Sequence, residues 1–254
     1  MKNITYIAIA LIYLLTSCNK HERIHPSDML VTQTFTYPNI TGLNLFDMDC
    51  DLYIYISEDE NAEDSITITV NDNVYPHIVW SSLGQGSSEK MKYTISLRYD
   101  DVSFMHRKPN LTISLTVKNL ELISLGGSST AYIEDVVISD DLRIDLRSAS
   151  TFRLRNGGRI EANHISAVLS GASKMELEGQ CKTLDLVLSG SSRASGFGMV
   201  CDDLDAKLSG ASKAEFTVLN TLSATLSGSS ILRYDGNPTI GYSNITGSSR
   251  LERR

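Results

Sequence analysis

Seven serines recur along the second half of the chain: Ser129, Ser150, Ser173, Ser192, Ser212, Ser230 and Ser249. Each stands four residues after a leucine or isoleucine, namely Leu125, Leu146, Leu169, Leu188, Leu208, Leu226 and Ile245. A row of hydroxyls at such spacing could offer hydrogen bonds to a sugar or a protein. Glu176 and Glu215, each two residues beyond a lysine, could act as paired carboxylates in glycoside cleavage or hold calcium. The acidic runs 47–51 and 58–64 could also bind calcium, but neither has the glycine and spacing of a calcium loop, so both read as solvated turns. Glu176 and Glu215 read as part of a solvated salt-bridge stripe. The five histidines are scattered, and neither a metal-ligand pair nor a Ser/His/Asp set can be argued from their spacing. The expectation is no catalytic residue, no metal site and no cofactor.

The starts are separated by 21, 23, 19, 20, 18 and 19 residues. A period near twenty suits leucine-rich repeats, but the asparagine ladder and the helical stretch of those repeats are missing. The internal pattern is alternation of apolar and other residues. Leu204, Ala206, Leu208, Gly210, Ser212, Ala214, Phe216 and Val218 share one parity, and so do Ile165, Ala167, Leu169, Gly171, Ser173, Met175 and Leu177. Period two over such lengths means strands with one buried face. The glycine inside the alternation marks a corner, where a residue without a side chain lets the strand turn. The expected fold is all-β, a right-handed single-stranded parallel β-helix, or solenoid. It has about seven regular coils (residues 121–254) preceded by more irregular β coils (31–120). At about 4.8 Å per coil, seven rise roughly 34 Å.

Parity divides the corner residues. Each repeat serine shares parity with the buried leucine and is expected inside, bonded to its neighbours and to the bent backbone. Ser170, Ala172, Ser189, Ser191, Ser209 and Ala211 are expected outside as a flat ridge of small residues, with Lys174, Arg193 and Lys213 alongside. That ridge is the candidate interaction face for a broad partner, although small residues also simply permit a tight corner. Cys181 and Cys201 lie 12 and 13 residues after their starts, at nearly the same point of consecutive coils. Coil spacing falls within the Cα separation of a disulfide, so the pair is either bonded or a stack of buried thiols. Cys50 is expected to be a buried free thiol.

The first half alternates without the serine motif, with strands expected near 43–46, 52–56, 65–70, 91–97 and 111–117. Polar turns are expected at 57–64 and 81–90. This half reads as capping coils, with a separate β-sandwich as the alternative. A parity break between Leu122 and Ile123 suggests a bulge. The last coil shows no cap, so its open edge could pair with a second copy.

The net charge of -7 gives no reason to expect nucleic acid as a partner. Lys2 and the apolar run Ile4 to Leu15 read as an export signal, too short to span a membrane. The run ends in Leu15-Thr16-Ser17-Cys18, which resembles the bacterial lipobox. The resemblance implies lipidation at Cys18, residues 1–18 as signal peptide and 19–30 as a polar tether. It also implies anchoring to the bacterial cell envelope; the outer membrane is the expected location, and the side faced is left open because sorting rules differ among bacteria. The repeated Leu-Ser-Gly-Ala-Ser or Leu-Ser-Gly-Ser-Ser, behind a lipobox and an irregular β-rich half, resembles the bacterial family known as the putative auto-transporter adhesin, head GIN domain. That family is described by its repeats rather than by an active site. Resemblance therefore implies a non-enzymatic envelope protein, an adhesin or scaffold presenting flat faces to protein or glycan. The alternative is a polysaccharide-active enzyme, a lyase or hydrolase, on the same fold. Such enzymes build a groove with loop insertions, for which coils of 18 to 23 residues leave little material.

Overall fold

The computed structural model describes residues 22–86 and 91–254, 66% of them in β-strands, wound into a parallel solenoid of about seven turns. Cys18 and its leader lie outside the described residues. Each regular coil has three faces. The first runs into the serine corner, the second leaves it, and the third carries the chain up to the next coil. Val136–Leu146, Arg159–Leu169 and Gly179–Leu188 each span the third and first faces, and Thr130–Ile133, Thr151–Leu154 and Lys174–Glu176 form the second. Arg193–Leu208 and Lys213–Leu226 continue around all three.

Register stacking turns the repeat into a core. Leu125, Leu146, Leu169, Leu188, Leu208 and Leu226 are successive ladder partners, and none is more than 2% exposed. A leucine so buried contributes about 2 kcal/mol relative to exposure. Like residues stacked at strand spacing fill the interior without voids. The Leu122–Leu125 strand keeps continuous register with both neighbours, so the parity break is not a bulge. Ile123 and Leu125 point inward, and the buried Leu120 belongs to the connection before the strand. Register shifts fall elsewhere, between Ile40 and Gly42, Gly196 and Val200, Cys201 and Asp203, and Leu222 and Ala224.

The first half adds coils out of sequence order to the same 19-stranded sheet, in place of a separate sandwich. Ile40–Phe46 and Asp51–Ile56 pair on one edge with Leu122–Leu125 and Thr130–Ile133. On their other edge they pair with Lys92–Tyr99 and Thr112–Val117, which come later in the chain. Antiparallel strands finish the stack: Ile78–Gln85 beside Lys92–Tyr99, and Asp64–Asn71 with Leu30–Tyr37 beyond Thr112–Val117. Two of these depart from expectation. Ile78–Gln85 occupies half of 81–90, where a polar turn is expected, and Leu30–Tyr37 is a strand outside the expected set. Both are outermost strands with no fully buried residue: in Leu30–Tyr37 only the half-buried Val31, Phe35 and Tyr37 share a face against the core, an alternation interrupted by the exposed Gln33.

From Glu22 onward the stretch read as a tether is docked. Glu22–Ile24 pairs with Val102–Phe104, and the Ser27 amide donates to Asn73 Oδ1 at 2.9 Å. At the opposite end, Thr239–Ile245 and Arg250–Arg253 have ladder partners on one edge only, with Tyr242 64% exposed.

Candidate functional site

The serine corner is built by backbone geometry. Gly171, Gly190, Gly210, Gly228 and Gly247 all take φ between 71° and 76°. A Cβ on Gly190 would stand 2.6 Å from the Gly171 carbonyl oxygen one coil away, so both conformation and close approach require glycine. Where the motif reads Leu146-Arg-Ser-Ala-Ser150, Ser148 adopts the left-handed conformation instead, with φ 62°. The corner amides continue the ladder: Ser191 donates to Gly171 O and Ala211 to Gly190 O, at 2.7 and 2.8 Å.

Ser129, Ser150, Ser173, Ser192, Ser212 and Ser230 are at most 1% exposed, and Ser249 in the last coil is half-buried. Their hydroxyls bond mainly to backbone rather than to one another. Ser192, Ser212 and Ser230 donate to the carbonyls of Ser189, Ser209 and Ser227, three residues back, at 2.9 to 3.0 Å. Ser230 also reaches Leu208 O of the preceding coil at 3.3 Å, and Ser249 Oγ at 3.3 Å. The hydroxyl therefore satisfies a carbonyl that the bend removes from the ladder. Ser192→Ala is expected to lower the unfolding free energy by about 1 to 2 kcal/mol in chemical denaturation, because it leaves the Ser189 carbonyl short of a donor.

Cys50 occupies the serine position one coil earlier, where the corner carries one extra residue. Its Sγ lies 3.4 Å from Ser129 Oγ, and Asp51 and Thr130, the next residues, are register partners. Burial pushes this thiol up to about 12, with the Ser129 bond partly offsetting. Cys181 and Cys201 are register partners and both are free thiols, with their sulfurs 3.1 Å apart. That contact, then burial, holds the Cys201 thiol far above its ordinary value. Two results follow. Alkylation by iodoacetamide at pH 8 should leave Cys50 and Cys201 unmodified until denaturant is added. Above pH 9 the unfolded chain releases thiol protons that the folded chain retains, so stability is full at neutral pH and falls as pH rises from 9 towards 12. Cys50→Ala should remove about 1 kcal/mol per pH unit of that loss, read from denaturant midpoints between pH 9.5 and 11.

Outside the corner, Ser170, Ser189 and Ser209 are half-buried, and Ser189 and Ser209 turn their hydroxyls onto Leu169 O and Leu188 O at 3.4 Å. Ala172, Ser191 and Ala211 are exposed. Lys174, Arg193 and Lys213 are exposed register neighbours with no carboxylate partner among the described residues. Glu176 and Glu215 lie one row away and pair with Arg153 at 3.6 Å and Arg233 at 3.1 Å. They are thus components of ion pairs rather than a facing pair of carboxylates. Where the first-half stack meets the serine repeat, the Tyr53 and Tyr132 rings stack at 5.2 Å, with the Arg155 guanidinium 3.7 Å from the Tyr132 ring centre.

A second feature, absent from the reading of the sequence, lies where the third face bends into the first. The ladder there skips Asp140 and Asn163, and then Lys182 and Asp202. The floor is made by the small side chains Ser139, Ala162 and Cys181. Their size lets the corner sink into a groove of about 680 Å³. One wall carries Ile138, Glu161, Gln180 and Val200, and the other Asp140, Asn163, Lys182 and Asp202. Asn163 Nδ2 donates to Asp140 at 2.7 Å and Arg159 pairs with Glu161 at 3.0 Å. The wall positions fall eight and six residues before the leucines 146, 169, 188 and 208, a constant offset that counting backwards along the sequence would have exposed.

Comparison with known proteins agrees with this architecture. A putative adhesin from Bacteroides fragilis NCTC 9343 superposes with a TM-score of 0.75 at 18% identity, covering 91% of this chain and 100% of that one. A putative adhesin from Parabacteroides merdae ATCC 43184 gives 0.59 at 16% identity, with 92% and 99% covered. A structure described as a putative lipid binding protein, from Parabacteroides distasonis ATCC 8503, gives 0.61 at 14%, with 92% and 100% covered. These likenesses carry the fold. The search of curated proteins finds no match. The profile of one family matches residues 51–238, and on that match the chain belongs to the family described as "putative auto-transporter adhesin, head GIN domain".

Proposed function

We propose that the chain is a non-enzymatic adhesin of the bacterial cell envelope, anchored at the outer membrane through acyl chains on Cys18. It presents the flat sides of its solenoid to protein or glycan. The observation that carries this reading is the uniformity of the coils. The repeat serines and leucines are spent on packing, the corners are short, and what remains outward is a stack of regular rows. Row upon row at about 4.8 Å suits an extended, repetitive partner better than a small substrate. Family membership supports an adhesin-like role in the same direction.

The test uses the full chain in its native host. Labelled palmitate should enter the protein and be lost in Cys18→Ala, and cells carrying the native chain should bind a glycan- or matrix-coated surface better than cells lacking it. Arginine at both Ser191 and Ser209 should weaken that adhesion if the ridge is the contact face. Release of new reducing ends from a polysaccharide by the purified chain would overturn the non-enzymatic reading.

A further inference from the structure

We infer that the groove between the third and first faces binds a single linear polysaccharide, neutral or carrying amino groups, laid along the solenoid axis. This rests on the surface-binding role proposed above and names its ligand class and site.

The groove runs through the five successive coils from Ile138 to Leu219, about 19 Å at strand spacing, and Lys92, Asn119 and Glu121 extend its lining beyond Ile138. One wall offers one polar side chain per coil: Asp140, Asn163, Lys182 and then Asp202. Donors and acceptors thus recur with a step close to the advance of one sugar ring in an extended chain. Gln180, Lys182 and Asp202 make no hydrogen bond or ion pair through their side chains among the described residues, so an amide, an ammonium and a carboxylate stand ready for hydroxyls.

The chemistry of the lining selects among polymers. Of its four carboxylates Glu121 is paired with Lys92 and Glu161 with Arg159, which leaves Asp140 and Asp202 against Lys182, a small excess of negative charge. That balance repels an acidic chain and accepts a neutral or amino-bearing one. A peptide fits poorly. Arg159–Leu169 and Gly179–Leu188 are paired on both edges, so along them the groove offers no free strand edge for β-augmentation. Its strongly exposed apolar residues, Ile138 at 70% and Leu219 at 49%, stand four coils apart with mostly polar side chains between them, not the continuous apolar stripe an amphipathic segment packs on. Each can cover the apolar face of a sugar ring.

Titration calorimetry of the full chain in detergent, with chito-oligosaccharides and β-glucan oligosaccharides of two to six units, tests the assignment, with oligogalacturonates as the acidic control. Affinity for at least one of the first two series should rise with each unit to about four and then level, and the acidic series should bind more weakly. Asn163→Ala and Lys182→Ala should each weaken binding roughly fivefold to tenfold, the loss expected for one hydrogen bond. Both residues point outward, so melting temperatures should not move. Equal binding by these variants, or no saturable binding in either series, overturns the site. If the oligosaccharides fail while cells carrying the chain still adhere to a coated surface, the groove falls and the adhesin reading stands. If adhesion fails as well, both fall.

Discussion

Gly190→Ala is expected to destabilise the solenoid by about 3 kcal/mol or more, against about 1 kcal/mol for Gly157→Ala, in denaturant titrations of the two variants. The two glycines share a left-handed backbone, with φ 71° and 85°, so both substitutions meet the same intrinsic penalty of about 1 to 2 kcal/mol. Their surroundings differ. A Cβ on Gly157 has nothing within 4 Å, whereas one on Gly190 stands 2.6 Å from the Gly171 oxygen and 3.2 Å from its nitrogen. Relieving that contact means separating two coils at their tightest point, where the Ser191 amide is bonded to the same Gly171 oxygen at 2.7 Å. Ser148 shows that a side chain can occupy the corner. The variant should therefore fold, with a lowered midpoint. Equal losses at the two positions would mean that conformation alone, not coil stacking, demands the glycine.

Phe216→Ala is expected to cost about 3 to 5 kcal/mol, the range for deleting a buried aromatic ring. Phe216 is fully buried, and the coil beside it has made room by placing Gly196 as its register partner. A Cβ on Gly196 would stand 2.5 Å from Phe216 Cε1 and 2.8 Å from Cδ1. The pair therefore predicts a change of sign. Gly196→Val alone should destabilise by about 1 to 3 kcal/mol through overpacking. In the Phe216→Ala background the same valine enters the space the ring has left and should restore about 1 to 2 kcal/mol. A double-mutant cycle read by thermal and chemical denaturation checks it. Additive losses would show that the cavity collapses on its own or that the valine cannot reach it.

Much of the second half was legible because its coils obey one rule at each position. A leucine every 18 to 23 residues, a glycine two later and a serine four later identify a buried ladder, a corner and a hydroxyl on the inner side of that corner. Parity alone placed Ser192 inside and Ser191 outside, and they are 1% exposed and exposed respectively. The partner of the inner hydroxyl was not legible. Parity gives a direction, while the carbonyl of Ser189, turned out of the ladder by the bend, becomes an acceptor only when the corner is built. The groove was missed for a different reason. Reading forward from the serine, the second and third faces vary in length, so Asp140, Asn163, Lys182 and Asp202 fall at unequal distances and show no repeat.

What the sequence determined by itself is the local code of the coil: strand, glycine corner, inward serine, and a stack of leucines that can pack only against copies of itself. Alternation and backbone strain are properties of a few neighbouring residues, so they survive in one dimension. Which coil lies on which was decided by the tertiary structure. Lys92–Tyr99 stacks beyond Ile40–Phe46 although it follows it in the chain, and the outer strand Ile78–Gln85 joins through backbone bonds and the contacts of Trp80 with Phe35 and Tyr37, residues far away in sequence. Ladder pairing joins residues far apart in sequence and is indifferent to the outward side chains. Those side chains meet as a groove only after the coils have taken their places.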